Sequence, residues 1–497
     1  MQCPKCGKDN PDNTQLCRFC SRALTDISTI APETYARTSK LAVASLLLSI
    51  LSGFTFLTTA ALSIALGITS LCRISRHKNK LKGKCFAVTG IVISAVFILA
   101  FCVILVLWSI DAAPIPNDYT IADLRSAPSQ CSKSYELLNT LTEEEENPIG
   151  APAIGLSAQD VNTIEKLNDI IAEADYAKIT EALKANSDNI YQAWKNAQKA
   201  GDIISQLNTF DEIADLTIPD IEAEIGFLRN LRHLCYLYQA YIHLQSHQAN
   251  NQTAVNELIK LDSVFRKLST NARSIVTKLV CFAGLNINIR TANFIVNNPQ
   301  TSQESLQLLA EHFTPLANEQ ICLRNSVISE YLMSKKVVTT QFDTLRNSLM
   351  FKYNSTLRLR KNFCEDWIAV EEKTQESENR KLSVWPSIYP SLPVSIDSDG
   401  HLPWFYKLYN PIGSLMVSIL TPAMEKVFEL KTKLQVQDDL FQIVLSKKLG
   451  SELSLKARAY SDRYIIDMER KKIFSPGPDG KPHTCDDIKL LINSEAF

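Results

Sequence analysis

The sequence predicts a mainly α-helical protein in three parts: a small cysteine-rich metal module, a helical membrane segment, and a large α-helical domain ending in a short β-hairpin. Three observations predict it. Cys3, Cys6, Cys17 and Cys20 form a C-x2-C-x10-C-x2-C array near the start. Leu41–Cys72 and Cys85–Ile110 contain no Asp, Glu, Lys or Arg. From Ser157 onward apolar residues return at helical spacing, as in Ile164, Leu167, Ile170 and Ile171.

The cysteine array comes first in the chain. Each C-x2-C turn offers two sulfurs from a tight loop, and two such turns complete a tetrahedral zinc site. Gly7 follows the second cysteine, where the turn favours positive φ, and Pro4 stiffens the first turn. So small a module buries no useful core, so metal binding is expected to supply most of its folding energy. MQCPKCGKDNPDNTQLCRFCSRAL resembles the short bacterial zinc ribbons that open many multi-module membrane proteins, with Ser21 replacing their second turn glycine. The resemblance implies a zinc ribbon over residues 1–24. Lys5, Lys8, Arg18 and Arg22 give it some charge, but Phe19 is its one stacking aromatic, which favours a structural or protein-docking role over nucleic-acid binding.

Residues 25–40 read as a linker and residues 41–110 as the membrane domain. Cys85–Ile110 has 26 residues, ample for one helix across a hydrocarbon core of about 30 Å. Leu41–Cys72 has 32 and would run about 48 Å as a single helix, so it is expected to be broken or hairpin-like, with Ser52-Gly53 as the break. Between the two stretches Arg73, Arg76, Lys78, Lys80, Lys82 and Lys84 stand without an acid. That asymmetry places the loop in the cytosol. Residues 1–40 also carry six cations, and zinc thiolates suit a reducing compartment, so both flanks of a hairpin would be cytosolic. Cys85–Ile110 would then export the remainder of the chain across the inner, cytoplasmic membrane of a bacterium. With the polar array in front, no cleavable signal sequence is expected. LAVASLLLSIL, LSIALGITSLCRISR and GKCFAVTGIVIS resemble a bacterial two-span membrane domain of unknown function, with Gly67, Gly83 and Gly90 at its glycine positions and Ser49 at another. Small residues at that spacing let helices approach closely.

DAAPIPN opens a short linker over residues 111–120, and residues 121–497 read as a mostly helical extracytoplasmic domain. Six cysteines there (Cys131, Cys235, Cys281, Cys322, Cys364, Cys485) lack metal-like spacing, leaving disulfides and buried free thiols as alternatives. Leu228, Leu231, Leu234, Leu237 and Tyr238 mark a helix, and TAVNELIKLDSVFRKL comes next as the second arm of a helical hairpin, with Ala240 and Ala254 small enough for close packing. His243 and His247 share a helix face, but the intervening residues include no glutamate, so no zincin motif exists and both read as ordinary core or surface groups. Glu365–His401, with Trp367, Trp385 and nearby prolines, reads as an insertion between helices. Asn410–Val427 is apolar but carries Pro422, Glu425 and Lys426, and reads as a buried helix.

Tyr464-Ile465-Ile466 and Lys472-Ile473-Phe474 suit short strands. SPGPDGKPHTCDDI comes after them and resembles the ending of pseudopilin-like secreted proteins, where such a turn often holds calcium. The resemblance places Asp479, Asp486 and Asp487 at its acidic positions and Gly477 and Gly480 at its turn glycines, within residues 475–488. Three carboxylates with turn carbonyls suit a hard cation; a solvated acidic turn closing a hairpin is the alternative. The C-terminal half also resembles large helical proteins of planctomycete-type bacteria, which implies no activity.

The net charge of −1 excludes a generally basic nucleic-acid binder. No nucleophile elbow, phosphate loop or dinucleotide glycine pattern occurs. The expected partners are therefore the lipid bilayer and an unidentified protein, with nucleic acid disfavoured and no small-molecule substrate indicated. The function expected is that of a membrane-anchored, non-enzymatic protein with a docking ribbon. An extracytoplasmic enzyme whose site forms only in three dimensions, and a membrane-tethered nucleic-acid-binding ribbon, are the alternatives.

Overall fold

The computed structural model describes all residues except 13, 23, 25–36, 56, 78–80, 126–130, 143–153, 174, 224, 347, 377–403, 421–423, 452–456, 458–459, 461–462 and 493–497. Most of the expected first linker, Lys78, Lys80, most of the Glu365–His401 insertion and Pro422 lie outside the described residues. The chain divides into two compact units, Met1–Ile110 and Asp111–Phe497. It is mainly α-helical, as the sequence predicts.

In the first unit the cysteine module precedes strand β1 (Arg37–Thr38), helix α1 (Lys40–Thr55), helix α2 (Leu57–Arg76), strand β2 (Leu81–Lys82) and helix α3 (Lys84–Ser109). Leu41–Cys72 thus folds as two helices. They run antiparallel, because the Ser45 hydroxyl donates to the Ser63 carbonyl at 2.8 Å and the Ser63 hydroxyl donates to the Ser45 carbonyl at 2.7 Å. Ser39 and Ser70 meet at 3.1 Å near the open end of the hairpin. There β1 and β2 pair in parallel, with Arg37 opposite Leu81 and Thr38 opposite Lys82. The chain therefore enters and leaves the hairpin on the same side.

The three helices pack on one another in a pattern inverted from that of a water-soluble bundle. Ser45, Ser49, Ser52, Ser63, Ser70 and Ser94 are buried, whereas Leu47, Ile50, Leu62, Ile68, Val92, Val96 and Leu99 are exposed. Water would penalise that surface, but lipid does not, and small polar side chains between helices are the usual glue in a bilayer. Gly90 permits the approach of α3 to α1: a Cβ there would stand 2.5 Å from Ser45 Oγ and 3.0 Å from Leu46 N. Ser49, at an expected glycine position, turns its hydroxyl back to the Leu46 carbonyl at 2.7 Å.

In the second unit, short helices α4 (Cys131–Asn139), α5 (Ala158–Ala172), α6 (Tyr176–Ala185), α7 (Ser187–Asn196) and α8 (Gln198–Asn208) lead to the long α9 (Phe227–His247), α10 (Asn251–Thr270) and α11 (Ile275–Asn297). After α12 (Gln303–His312) and α13 (Asn318–Ile321) come α14 (Arg324–Thr340), α15 (Tyr353–Glu376), α16 (Trp404–Tyr409), α17 (Pro411–Leu420) and α18 (Met424–Lys448). α9 and α10 form the expected hairpin, with Ala240 and Ala254 buried.

Among the described residues three helices, Thr58–Arg76, Lys84–Val106 and Ile275–Asn297, are long and apolar enough to cross a membrane. The third is α11. It packs against α9, α10, α14 and α18, and most of it is buried, so its apolar character serves the core of this unit.

Residues 111–120, expected to be a linker, are instead tied down. The Asp111 carboxylate accepts from the backbone N–H groups of Asn354 and Ser355 at 2.9 and 3.1 Å, capping α15. Asp118 accepts from the Tyr331 hydroxyl at 2.6 Å and pairs with Lys335 at 2.7 Å. Asn410–Val427 also differs from the single buried helix expected. It holds α17 and the start of α18, and Leu415 and Ile419 of α17 are exposed.

The chain ends in an antiparallel sheet of β3 (Ile465–Asp467), β4 (Lys472–Ser475) and β5 (Ile488–Leu491), in that order. The expected hairpin is β3–β4, with Ile466 opposite Ile473. β5 is an addition, placing Leu490 opposite Ile473 and Leu491 opposite Lys472. Ile473, Ile488 and Leu490 join the main hydrophobic core, which is why the extra strand docks.

Candidate metal centre

The two cysteine turns are built alike. The Cys3 N–H donates to Lys8 O at 3.0 Å and the Gly7 N–H to Cys3 O at 2.9 Å. In the second turn the Cys17 N–H donates to Arg22 O at 2.7 Å and the Ser21 N–H to Cys17 O at 2.8 Å. Gly7 has φ +67°, and Ser21, standing where the resemblance expects glycine, takes nearly the same φ of +54°. The serine therefore accepts a strained backbone to keep the loop.

These loops bring Cys3, Cys6, Cys17 and Cys20 together, with all four sulfurs within 4.8 Å of one another. The Cys3–Cys20 and Cys6–Cys17 Sγ separations are both 3.6 Å. A tetrahedron with metal–sulfur bonds of about 2.3 Å has edges of about 3.8 Å, so the donor set fits a single ion. Asn10, which no motif in the sequence singles out, completes the site. It is buried; its Nδ2 lies 3.4 Å from Cys17 Sγ, and its Oδ1 accepts from the Arg18 N–H at 2.9 Å. One side chain thus ties both turns together and donates toward a sulfur.

Electrostatics divide the four thiols. The Lys5 and Cys6 N–H groups hold the Cys3 thiol below its ordinary value. At Cys17 burial opposes ionisation, but the Phe19 and Cys20 N–H groups and Asn10 outweigh it and bring the thiol to about 6. At Cys6 the Lys8 N–H favours the thiolate, yet burial and the neighbouring sulfurs push it up to about 11. Four thiolates this close repel, and a cation is what lets all of them ionise together.

Among the described residues no other group of three or more metal-ligating side chains is close enough to share an ion. Asp479, Asp486 and Asp487 do meet on the β4–β5 turn, around the hydroxyl of Thr484. That oxygen lies 3.4 Å from Asp479 Oδ1, 2.5 Å from Asp486 Oδ1 and 3.5 Å from Asp487 Oδ1. Backbone N–H groups supply the rest: Asp479 donates to Asp486, Lys481 to Asp479 and His483 to Asp487. Each of the three carboxylates thus accepts a hydrogen bond from the backbone of the turn itself.

The other candidates separate in the same way. His243 is buried in a stack on Phe294, with ring centroids 4.2 Å apart, and neither ring nitrogen has a partner among the described residues. Burial pulls it down to about 3, so it is a neutral core group. All thirteen cysteines are free, and Cys131, Cys235, Cys281 and Cys364 are buried, which favours free thiols over disulfides. No family model matches the chain, and no curated protein or solved structure matches it either.

Proposed function

We propose that this protein is a membrane-anchored, non-enzymatic docking protein whose cysteine module holds zinc. The observation that carries the reading is the bundle of α1, α2 and α3, serines inward and leucines outward, in a chain that opens with a four-sulfur site. Zinc is the metal that an all-thiolate tetrahedron suits best in a reducing compartment. The ribbon then lies in the cytosol of a bacterium, and the helical unit lies beyond the inner membrane, where it binds protein or envelope material. Two buried charge pairs of that unit support an interaction role over chemistry, because each is spent internally: Lys431 pairs with Glu371, and Arg266 with Asp262 at 2.6 Å.

Topology is tested by labelling intact cells with an impermeant maleimide, scored against the parent protein. Lys82→Cys, in the basic loop, should stay protected, and Lys195→Cys, on α7, should react. The reverse pattern overturns the orientation, and protection of both places the helical unit in the cytosol.

Docking has a candidate surface on the second cysteine turn, where Leu16 and Phe19 are 58% and 60% exposed and Lys8 lies over the Phe19 ring at 4.8 Å. A protein co-purifying from native membranes should be lost on Leu16→Ser/Phe19→Ser with the metal content unchanged. Retention of the same partner by the double variant would remove this surface from the proposal. Salt-sensitive binding of DNA by the wild-type ribbon would replace the protein partner with nucleic acid.

A further inference from the structure

Among the described residues of the helical unit, a cavity of about 750 Å³ opens beside the C-terminal sheet. Its walls come from the start of α6, the last residues of α9 and α11, the β3–β4 turn and the end of β5. Arg470, Lys471 and Lys472 stand on one side and Asn297, Asn298 and Gln300 on another. The volume lies within the range of small-molecule sites, and polar amides around a cationic wall are the means by which such sites orient a charged ligand.

The positive charge here is poorly balanced. Among the described residues Arg470 reaches an acid only at Asp467, 3.8 Å away. No carboxylate among the described residues pairs with Lys471 or Lys472 within 4.0 Å. Asp175, the acid on the wall, is engaged in capping α6, accepting from the Ala177 and Lys178 N–H groups at 3.1 and 3.3 Å. Lys472 is held below its ordinary value by burial and by the nearby Lys489. Clustered cations cost stability unless something compensates them, and Asp467 and Asp175 set two negative charges against the three positive ones on this wall.

Two further features suit a ligand with a polar head and a flat portion. Thr180 Oγ1 is buried without a hydrogen-bond partner. Tyr176 stacks on Phe294, with centroids 5.0 Å apart, yet remains 40% exposed. We propose that this cavity binds a small molecule carrying a pyrophosphate or similar polyphosphate group, whose charge is neutralised by Arg470, Lys471 and Lys472. An arginine fork and two ammonium groups match phosphate oxygens. The volume favours a small molecule over a polynucleotide. This inference is independent of the zinc ribbon and of the docking role.

Calorimetric titration of the purified full chain with inorganic pyrophosphate is the test, with orthophosphate and citrate as comparison probes. Pyrophosphate should bind at one saturable site, more tightly than orthophosphate, and more weakly as salt rises. Lys471→Gln/Lys472→Gln should weaken it about tenfold or more, the order expected when charges facing a bound anion are removed. Lys195→Gln, on the exposed surface of α7, should leave it unchanged. Equal melting curves for the two variants guard against misfolding. No saturation at millimolar pyrophosphate, or equal affinity in the double variant, overturns the proposal. Tighter binding of citrate overturns the assignment to phosphate.

Discussion

Removing the metal should unfold residues 1–24 and leave the helical unit folded. The module has almost nothing else to hold it. Leu16 and Phe19 point outward, Leu24 is half-buried, and Cys3, Cys17 and Asn10 are its buried side chains among the described residues. Structural zinc sites in peptides of this size contribute roughly 10–16 kcal/mol at neutral pH, far more than such an interior can. In the full-length protein, a strong chelator should therefore expose all four thiols to alkylation together, as read by mass spectrometry. The melting transition of the helical unit should not move. Cys17→Ser should reproduce the exposure without chelator, because three thiolates leave the tetrahedron open. Thiols that stay protected in chelator would show a module folded without metal, and the zinc reading would fail.

Glu371→Ala should cost the helical unit about 3–5 kcal/mol, the loss expected when one partner of a buried ion pair is removed. Glu371 and Lys431 are 2% and 5% exposed, so water cannot take over. The carboxylate also accepts from the Leu323 N–H at 2.8 and 3.0 Å and from the Cys322 thiol at 3.6 Å. Alanine leaves a buried ammonium group and an unsatisfied N–H where α15, α18 and the start of α14 meet. Trp367, one turn earlier on α15, stacks on Phe428 of α18 at 5.3 Å, so tryptophan fluorescence should report the loss in a urea titration. Glu371→Ala/Lys431→Met removes both charges and should recover part of the stability. A loss below about 1 kcal/mol in the single variant would mean that the pair is solvated, contrary to its burial.

What the sequence revealed and what it hid have physical causes. The four-sulfur site was legible because its ligands are local: two short turns place their own sulfurs. Leu41–Cys72 was legible as more than one helix because 32 uncharged residues exceed the thickness of a bilayer. Asn10 was hidden, since nothing in an NPDN turn says that the asparagine folds inward onto a sulfur. Asp111 looked like linker because its two N–H partners lie more than 240 residues away. Glu371 and Lys431 are ordinary surface letters in helices of modest periodicity, and only the fold buries them. Ile275–Asn297 shows the converse problem. Its composition suits a bilayer, and what distinguishes it is the protein packed around it, which no local pattern encodes. The cavity beside the C-terminal sheet draws its walls from residues 175 to 492, so its cations read singly as exposed turn residues.

The reciprocal bonds between Ser45 and Ser63 have a consequence for biogenesis. α1 has 16 residues, about 24 Å of helix, and falls short of a hydrocarbon core of about 30 Å. By itself it would bring several serine hydroxyls into lipid on a segment too short to cross. Ser63 is synthesised eighteen residues after its partner, and β2, which clasps β1, emerges later still. In a bilayer, α1 and α2 are therefore expected to insert together, each helix satisfying the hydroxyl of the other.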